Sequence, residues 1–79
     1  MRTEIEKKVI AHLAEDLGIN AEEITTGMKL TDDLGADSAT LIMLVMDMQD
    51  EFEIEVDAEK LAGIVTVNDV IDLIEAEKA

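Results

Sequence analysis

The sequence predicts an all-α domain of four helices, one of them short, with a long ordered loop between the first and second. Three observations lead there. Apolar residues recur at helical spacing in separate segments, and Asp, Thr, Asn and Gly stand where those segments begin and end. No stretch sustains the alternation of a strand; the nearest is the short, heavily charged run from Phe52 to Val56. With 79 residues the chain makes one domain, 1–79. A domain of that size buries only about 60–65% of the surface its unfolded chain exposes, which leaves little stability in reserve.

The first helix is expected from about Thr3 to Leu17. Ile5, Val9, Leu13 and Leu17 recur every four residues and Ile10 widens the stripe. Thr3 and Glu6 have the spacing of a capping box, and Gly18 is placed to end the helix. From Gly18 to Asp37 no period persists. Ile19, Ile24, Met28, Leu30 and Leu34 would pin this loop to the core, and Asn20 could cap a single turn over Ala21-Glu22-Glu23.

A second helix should begin near Asp37 or Ser38 and run to about Phe52, with Asp37 as its N-cap. Leu41, Leu44, Val45, Met48 and Phe52 form its core stripe. Ala39, Ile42, Met43 and Met46 cluster on the other side, so the helix is either deeply buried or touches a partner. Asp57 can cap a short helix through Ala58, Leu61 and Ala62, ending at Gly63. The last helix starts after Thr66, whose hydroxyl could cap it, with Asp69 at the third helical position and Val67, Val70, Ile71 and Ile74 facing inward.

Charge narrows the function. Twenty Asp and Glu against six Lys and Arg give a net charge of −14, which argues against nucleic acid as a ligand and favours basic partners. A hydrophobic fraction of 48% argues against disorder. With no cysteine there is no disulfide, zinc-thiolate site or thiol nucleophile. No apolar run approaches the roughly 20 residues of a membrane span, and Met1-Arg2-Thr3-Glu4 lacks the apolar segment of a signal peptide. The expectation is a soluble, cytoplasmic monomer.

Chemistry concentrates in Asp33-Leu34-Gly35-Ala36-Asp37-Ser38, where a hydroxyl stands at a helix start behind a turn. On spacing alone, a capping segment with an exposed serine accounts for it. Nothing equips Ser38 as a catalytic nucleophile: the only histidine, His12, lies in the first helix, and there is no Gly-x-Ser-x-Gly elbow. A helix N-terminus does favour a phosphoryl group, through its free N–H groups and dipole. Metal sites are poorly supported. Asp32, Asp33 and Asp37 depart from the EF-hand pattern, and His12 with Asp16 supplies only two ligands, so His12 is expected to face solvent.

Gly35-Ala36-Asp37-Ser38, preceded by Asp33-Leu34 and followed by a helix with Leu44-Val45-Met46 that ends in Glu51-Phe52, resembles the bacterial acyl carrier proteins. The similarity extends to Leu17-Gly18 and to the closing Thr66-Val67-x-Asp69-Val70-Ile71 segment. The resemblance implies a small four-helix bundle that is not an enzyme. It also implies a 4′-phosphopantetheine arm joined to Ser38 by a phosphopantetheinyl transferase, with Asp37 and Ala39 flanking the attachment point. In the family, the acidic second helix docks on basic patches of acyl-handling enzymes.

Three positions depart from the family pattern: its leucine after the serine is Ala39, the next residue, usually acidic, is Thr40, and Met43 stands where glutamate is typical. The docking face would comprise Thr40, Ile42, Met43, Met46, Asp47, Asp50 and Glu51, and would suit enzymes with basic or partly apolar docking patches in fatty-acid, polyketide or related biosynthesis. An aminoacyl or peptidyl carrier would share the serine and the bundle. A non-carrier acidic adaptor would keep the fold and leave the serine unmodified.

Overall fold

The computed structural model describes residues 2–78, apart from the side chain of Ala58; Met1 and Ala79, the ends of the expected domain, lie outside the described residues. Four α-helices follow in order: α1 (Arg2–Leu17), α2 (Ser38–Phe52), the short α3 (Ala58–Leu61) and α4 (Val67–Lys78). A 3₁₀ turn at Ala21–Glu23 interrupts the loop after α1. No strand occurs among the described residues; one isolated antiparallel bridge joins Lys29 to Thr66.

The core lies where α1, α2 and α4 face one another. Ile5, Val9 and Leu13 from α1 meet Leu44, Met48 and Phe52 from α2 and Val67, Val70, Ile71 and Ile74 from α4. These are the stripes the spacing predicts, with Leu41 and Leu17 only partly buried at their margins. The long loop is pinned by buried Ile24 and Leu30 and by Ile19 and Leu34 packed against the cluster; Met28, expected as a fifth pin, is half-buried outside the cluster and holds the loop through its carbonyl, which accepts from Val67 N–H at 3.1 Å. Each anchor takes apolar surface out of water, at about 25 cal/mol per Å².

Helix ends explain most of the boundaries. Gly18, at φ +68°, lets the chain leave α1, and the Ile19 N–H returns to the Ala14 carbonyl at 3.1 Å in a Schellman arrangement. At the end of α2 the left-handed position falls on Glu53 (φ 55°), where a side chain is strained. Gln49 compensates there. Its carbonyl accepts from Ile54 N–H at 3.1 Å, and its side-chain oxygen accepts from Val56 N–H at 2.8 Å. At the head of α4, Thr66 and Asp69 cap reciprocally. The Thr66 hydroxyl accepts from Asp69 N–H at 3.2 Å, while the Asp69 carboxylate accepts from Val65 and Thr66 N–H at 2.9 and 3.0 Å.

Three expected caps are corrected. Thr3 lies inside α1 and not at its cap, because the helix already includes Arg2. Arg2 is tied to α4 by Asp72 at 2.7 Å, Asn68 at 3.2 Å and Glu75 at 3.3 Å, which fixes that extra residue in the helix. Asn20 and Asp57 occupy cap positions with extended backbone but make no side-chain cap bond. In both, the residue's own carbonyl accepts the N–H three residues on: Glu23 to Asn20 and Lys60 to Asp57, each at 3.0 Å. These turns close through the backbone carbonyl alone, whereas at Thr66 the Asp69 N–H is shared between the carbonyl at 3.1 Å and the hydroxyl at 3.2 Å. That tight geometry also ends α3 at Leu61, before the expected Ala62, with Gly63 and Ile64 N–H closing onto Lys60 and Leu61 carbonyls.

Candidate functional site: the head of the second helix

Ser38 is the first residue of α2 and is exposed. Its position is set by the turn before it. Asp33 N–H and Leu34 N–H both reach the Lys29 carbonyl, at 2.9 and 3.1 Å, and the Asp33 carboxylate accepts from Lys29 N–H at 2.8 Å. Gly35, at φ +71°, then reverses the chain in a conformation that favours glycine. Ala36 is buried and its N–H donates to the Leu30 carbonyl at 2.8 Å. Leu30 N–H in turn donates to the Val65 carbonyl at 2.8 Å, and Val67 N–H to the Met28 carbonyl at 3.1 Å. The segment that presents Ser38 is thus fastened to the head of α4.

Asp37 caps α2 as the sequence predicts. Its carboxylate accepts from Thr40 N–H at 2.8 Å, and its carbonyl accepts from Leu41 N–H at 3.0 Å. That bond from Thr40 holds the Asp37 carboxyl below the usual carboxylate range. Among the described residues, the N–H groups of Ser38 and Ala39 donate to no other atom of the chain. Two donors at the positive end of a helix dipole therefore surround an exposed hydroxyl. This is a suitable seat for a phosphodiester, with the ionised Asp37 carboxylate opposing it across solvent.

The outward face of α2 is apolar near this point. Ala39 is exposed, and Ile42, Met43 and Met46 keep 48%, 55% and 57% of their surface. Thr40 is half-buried and lies off that stripe. Of the expected docking acids, Asp50 and Glu51 are exposed and Asp47 is half-buried. Two of the three are engaged within the chain: Lys8 pairs with Glu51 at 3.2 Å, and His12 Nδ1 lies 3.8 Å from the Asp47 carboxylate. His12 is therefore half-buried between α1 and α2, contrary to the expectation that it faces solvent. Asp16, exposed one turn away, has its carboxyl pushed up by desolvation and by the charge of Asp47. No group of three or more potential metal ligands assembles among the described residues.

Reading the sequence did not single out Val65, which is half exposed and whose carbonyl holds Leu30. An isolated apolar residue beside a capping threonine was its only signal. The cross-helix partners Lys8 and His12 had no signal at all, because the rotation of α1 against α2 decides them.

The model of the family described as the phosphopantetheine attachment site matches residues 7–74. Over 74 residues the chain is 46% identical to the acyl carrier protein of Thermotoga maritima, covering 94% of this chain and 91% of that one. The chain belongs to the acyl carrier proteins. A crystal structure of an acyl carrier protein from T. maritima superposes with a TM-score of 0.85 at 28% identity, over 98% of this chain and 89% of that one. An acyl carrier protein from Enterococcus faecalis superposes with a TM-score of 0.81 at 31% identity, over 98% of each chain. The acyl carrier proteins act through a covalently attached 4′-phosphopantetheine, and the role of this chain is that of a carrier. Among the described residues no helix is long and apolar enough to cross a membrane.

Proposed function

We propose that residues 1–79 form a single carrier domain whose Ser38 hydroxyl takes the 4′-phosphopantetheine arm from coenzyme A, releasing adenosine 3′,5′-bisphosphate. The carrying observation is an exposed hydroxyl at the head of a 15-residue helix, beside two unengaged backbone donors. When attached, the arm supplies a thiol on which acyl groups are held as thioesters, and tethering raises their effective concentration at any enzyme that binds the domain. The chain's own part is to present the attachment point. The fastened turn from Lys29 to Ala36 fixes where α2 begins, and the N–H groups of Ser38 and Ala39 favour the phosphodiester.

In this reading the domain catalyses nothing. His12 pairs with Asp47, nine residues along α2 from Ser38, or roughly 13 Å of axial rise, too far to act as a base on the serine. Its partners are a phosphopantetheinyl transferase and acyl-transferring or acyl-modifying enzymes of cytoplasmic biosynthesis, and it works as a monomer. Intact mass after coexpression with a broad-specificity phosphopantetheinyl transferase tests the assignment. The wild-type chain gains the mass of one arm and Ser38→Ala gains none. An unmodified wild type, or a loaded Ser38→Ala, overturns it.

A further inference from the structure

His12 is the only histidine of the chain, and the carrier role makes no use of it. It lies on the seam between α1 and α2, where charged residues pair in steps of four. Lys8 of α1 meets Glu51 of α2 at 3.2 Å, and one turn further His12 Nδ1 lies 3.8 Å from the Asp47 carboxylate. The partners rise along one helix and fall along the other, so α1 and α2 run antiparallel and the two pairs form successive rungs. The third step on α1 is Asp16, and its counterpart on α2, four residues before Asp47, is the uncharged Met43. The ladder thus has a permanent cation at its lower rung, a titratable one above it, and none at the end nearer Ser38.

The other charges around His12 supply no second cation. On α1, Glu15 and Asp16 are exposed carboxylates within a turn of it, and on α2 Asp50 is exposed. The 3₁₀ turn and α4 also pack on α1. Among the described residues none of their carboxylates, Glu22, Glu23, Asp69, Asp72, Glu75 or Glu77, pairs with the imidazole. Lys8 and Lys78 lie over the Phe52 ring, at 5.3 and 5.8 Å, where α2 ends. The Asp16 carboxyl is pushed up by desolvation and then by the charge of Asp47, while the charge of His12 pulls it down. The three groups therefore act on one another across the interface.

We propose that His12 is a pH-sensitive tie between α1 and α2: charged, it draws Asp47 and Asp16 together across the seam, and neutral, it leaves the two carboxylates without a cation. A histidine ordinarily changes charge between about pH 5 and 8, a range in which aspartates stay ionised. A basic group that gains partners on folding contributes its stability on the acid side and loses it as pH rises. Asp16 works in the same direction, because the cost of its ionised form fades as pH falls. Mild acidification therefore tightens the part of the seam nearer Ser38, while the Lys8–Glu51 rung holds the other part throughout this range.

In a chain of net charge −14 any added proton relieves self-repulsion, so the test isolates the pair. A double-mutant cycle of His12→Gln and Asp47→Asn on the full chain is followed by thermal unfolding, with far-UV circular dichroism, at about pH 5.5 and about pH 8 in the same low salt. Both side chains keep some exposure, 31% and 45%, so the pair is a modest one. His12→Gln is expected to lower Tm by about 2–4 °C in acid and by less than about 1 °C at the higher pH. The extra loss in acid disappears once Asp47 is replaced by Asn. His12→Lys, which keeps a cation at both pH values, should hold its advantage over His12→Gln at both. An equal Tm loss for His12→Gln at the two pH values, as a purely structural imidazole would give, overturns the proposal. So does an acid-side loss that persists in the Asp47→Asn background.

Discussion

Asp69→Ala removes the acceptor that closes the head of α4. The carboxylate takes two N–H groups, from Val65 at 2.9 Å and Thr66 at 3.0 Å, and sits in the first turn of the helix. Hydrogen bonds to a charged group contribute about 1.5–3 kcal/mol each when buried. Asp69 is half-buried, so water recovers part of each bond when the carboxylate is deleted. Allowing about 0.7 kcal/mol per bond and about 0.5 kcal/mol for the helix dipole gives roughly 2 kcal/mol.

A domain of 79 residues has a total stability of about 4–12 kcal/mol, and each kcal/mol moves Tm by about 4–8 °C. Thermal unfolding followed at 222 nm should therefore show Asp69→Ala melting about 8–16 °C below wild type, with Asp69→Asn between them. The pH dependence supplies a second check. The N–H groups of Thr66 and Val65 hold the Asp69 carboxyl below its ordinary range. Its contribution is present above the unfolded-state pKa and is lost as pH falls through the lower folded value, so wild type and Asp69→Asn converge in acid. A Tm difference under about 3 °C at neutral pH would refute the reasoning.

Leu44 is completely buried in α2, and Leu44→Ala should cost about 3 kcal/mol in urea unfolding; a loss under about 1 kcal/mol would mean the core collapses around the gap. Glu53→Gly should raise stability by about 0.5–1 kcal/mol by relieving the left-handed conformation at φ 55°, and a lower urea midpoint would count against strain there. With a net charge of −14, Tm should rise from low salt to ~0.5 M NaCl, whereas a fall would show that ion pairs such as Arg2–Asp72 outweigh the self-repulsion.

The parts of the fold legible in the sequence were those decided within a few residues. Val67, Val70, Ile71 and Ile74 follow one helical stripe, and Thr66 with Asp69 announces its start, so α4 was readable as it stands. Asp37 worked as a cap because the Thr40 N–H lacked any other partner. Asn20 and Asp57 have the same cap chemistry and make no cap bond: their short turns close through the backbone carbonyl alone, whereas the Asp69 N–H is shared between the Thr66 carbonyl and hydroxyl. Residue type alone does not reveal which of these arrangements forms. The start of α1 was displaced by Arg2 reaching across to α4, and the half-buried position of His12 followed from α1 facing Asp47. Both depend on how helices meet, which no local pattern records. At the site itself, the serine, its cap and the apolar face were visible in the sequence. What escaped notice was that two of the neighbouring acids have partners of their own.

Leu30 has a consequence beyond its place in the core. Its carbonyl receives the amide of Ala36 and its own amide reaches Val65, so one residue couples the doorstep of Ser38 to the C-terminal helix. Hydrogen exchange at these two amides should be governed by a shared opening event. A local opening at Leu30 would therefore loosen the segment that leads into α2 and the segment that leads into α4 together.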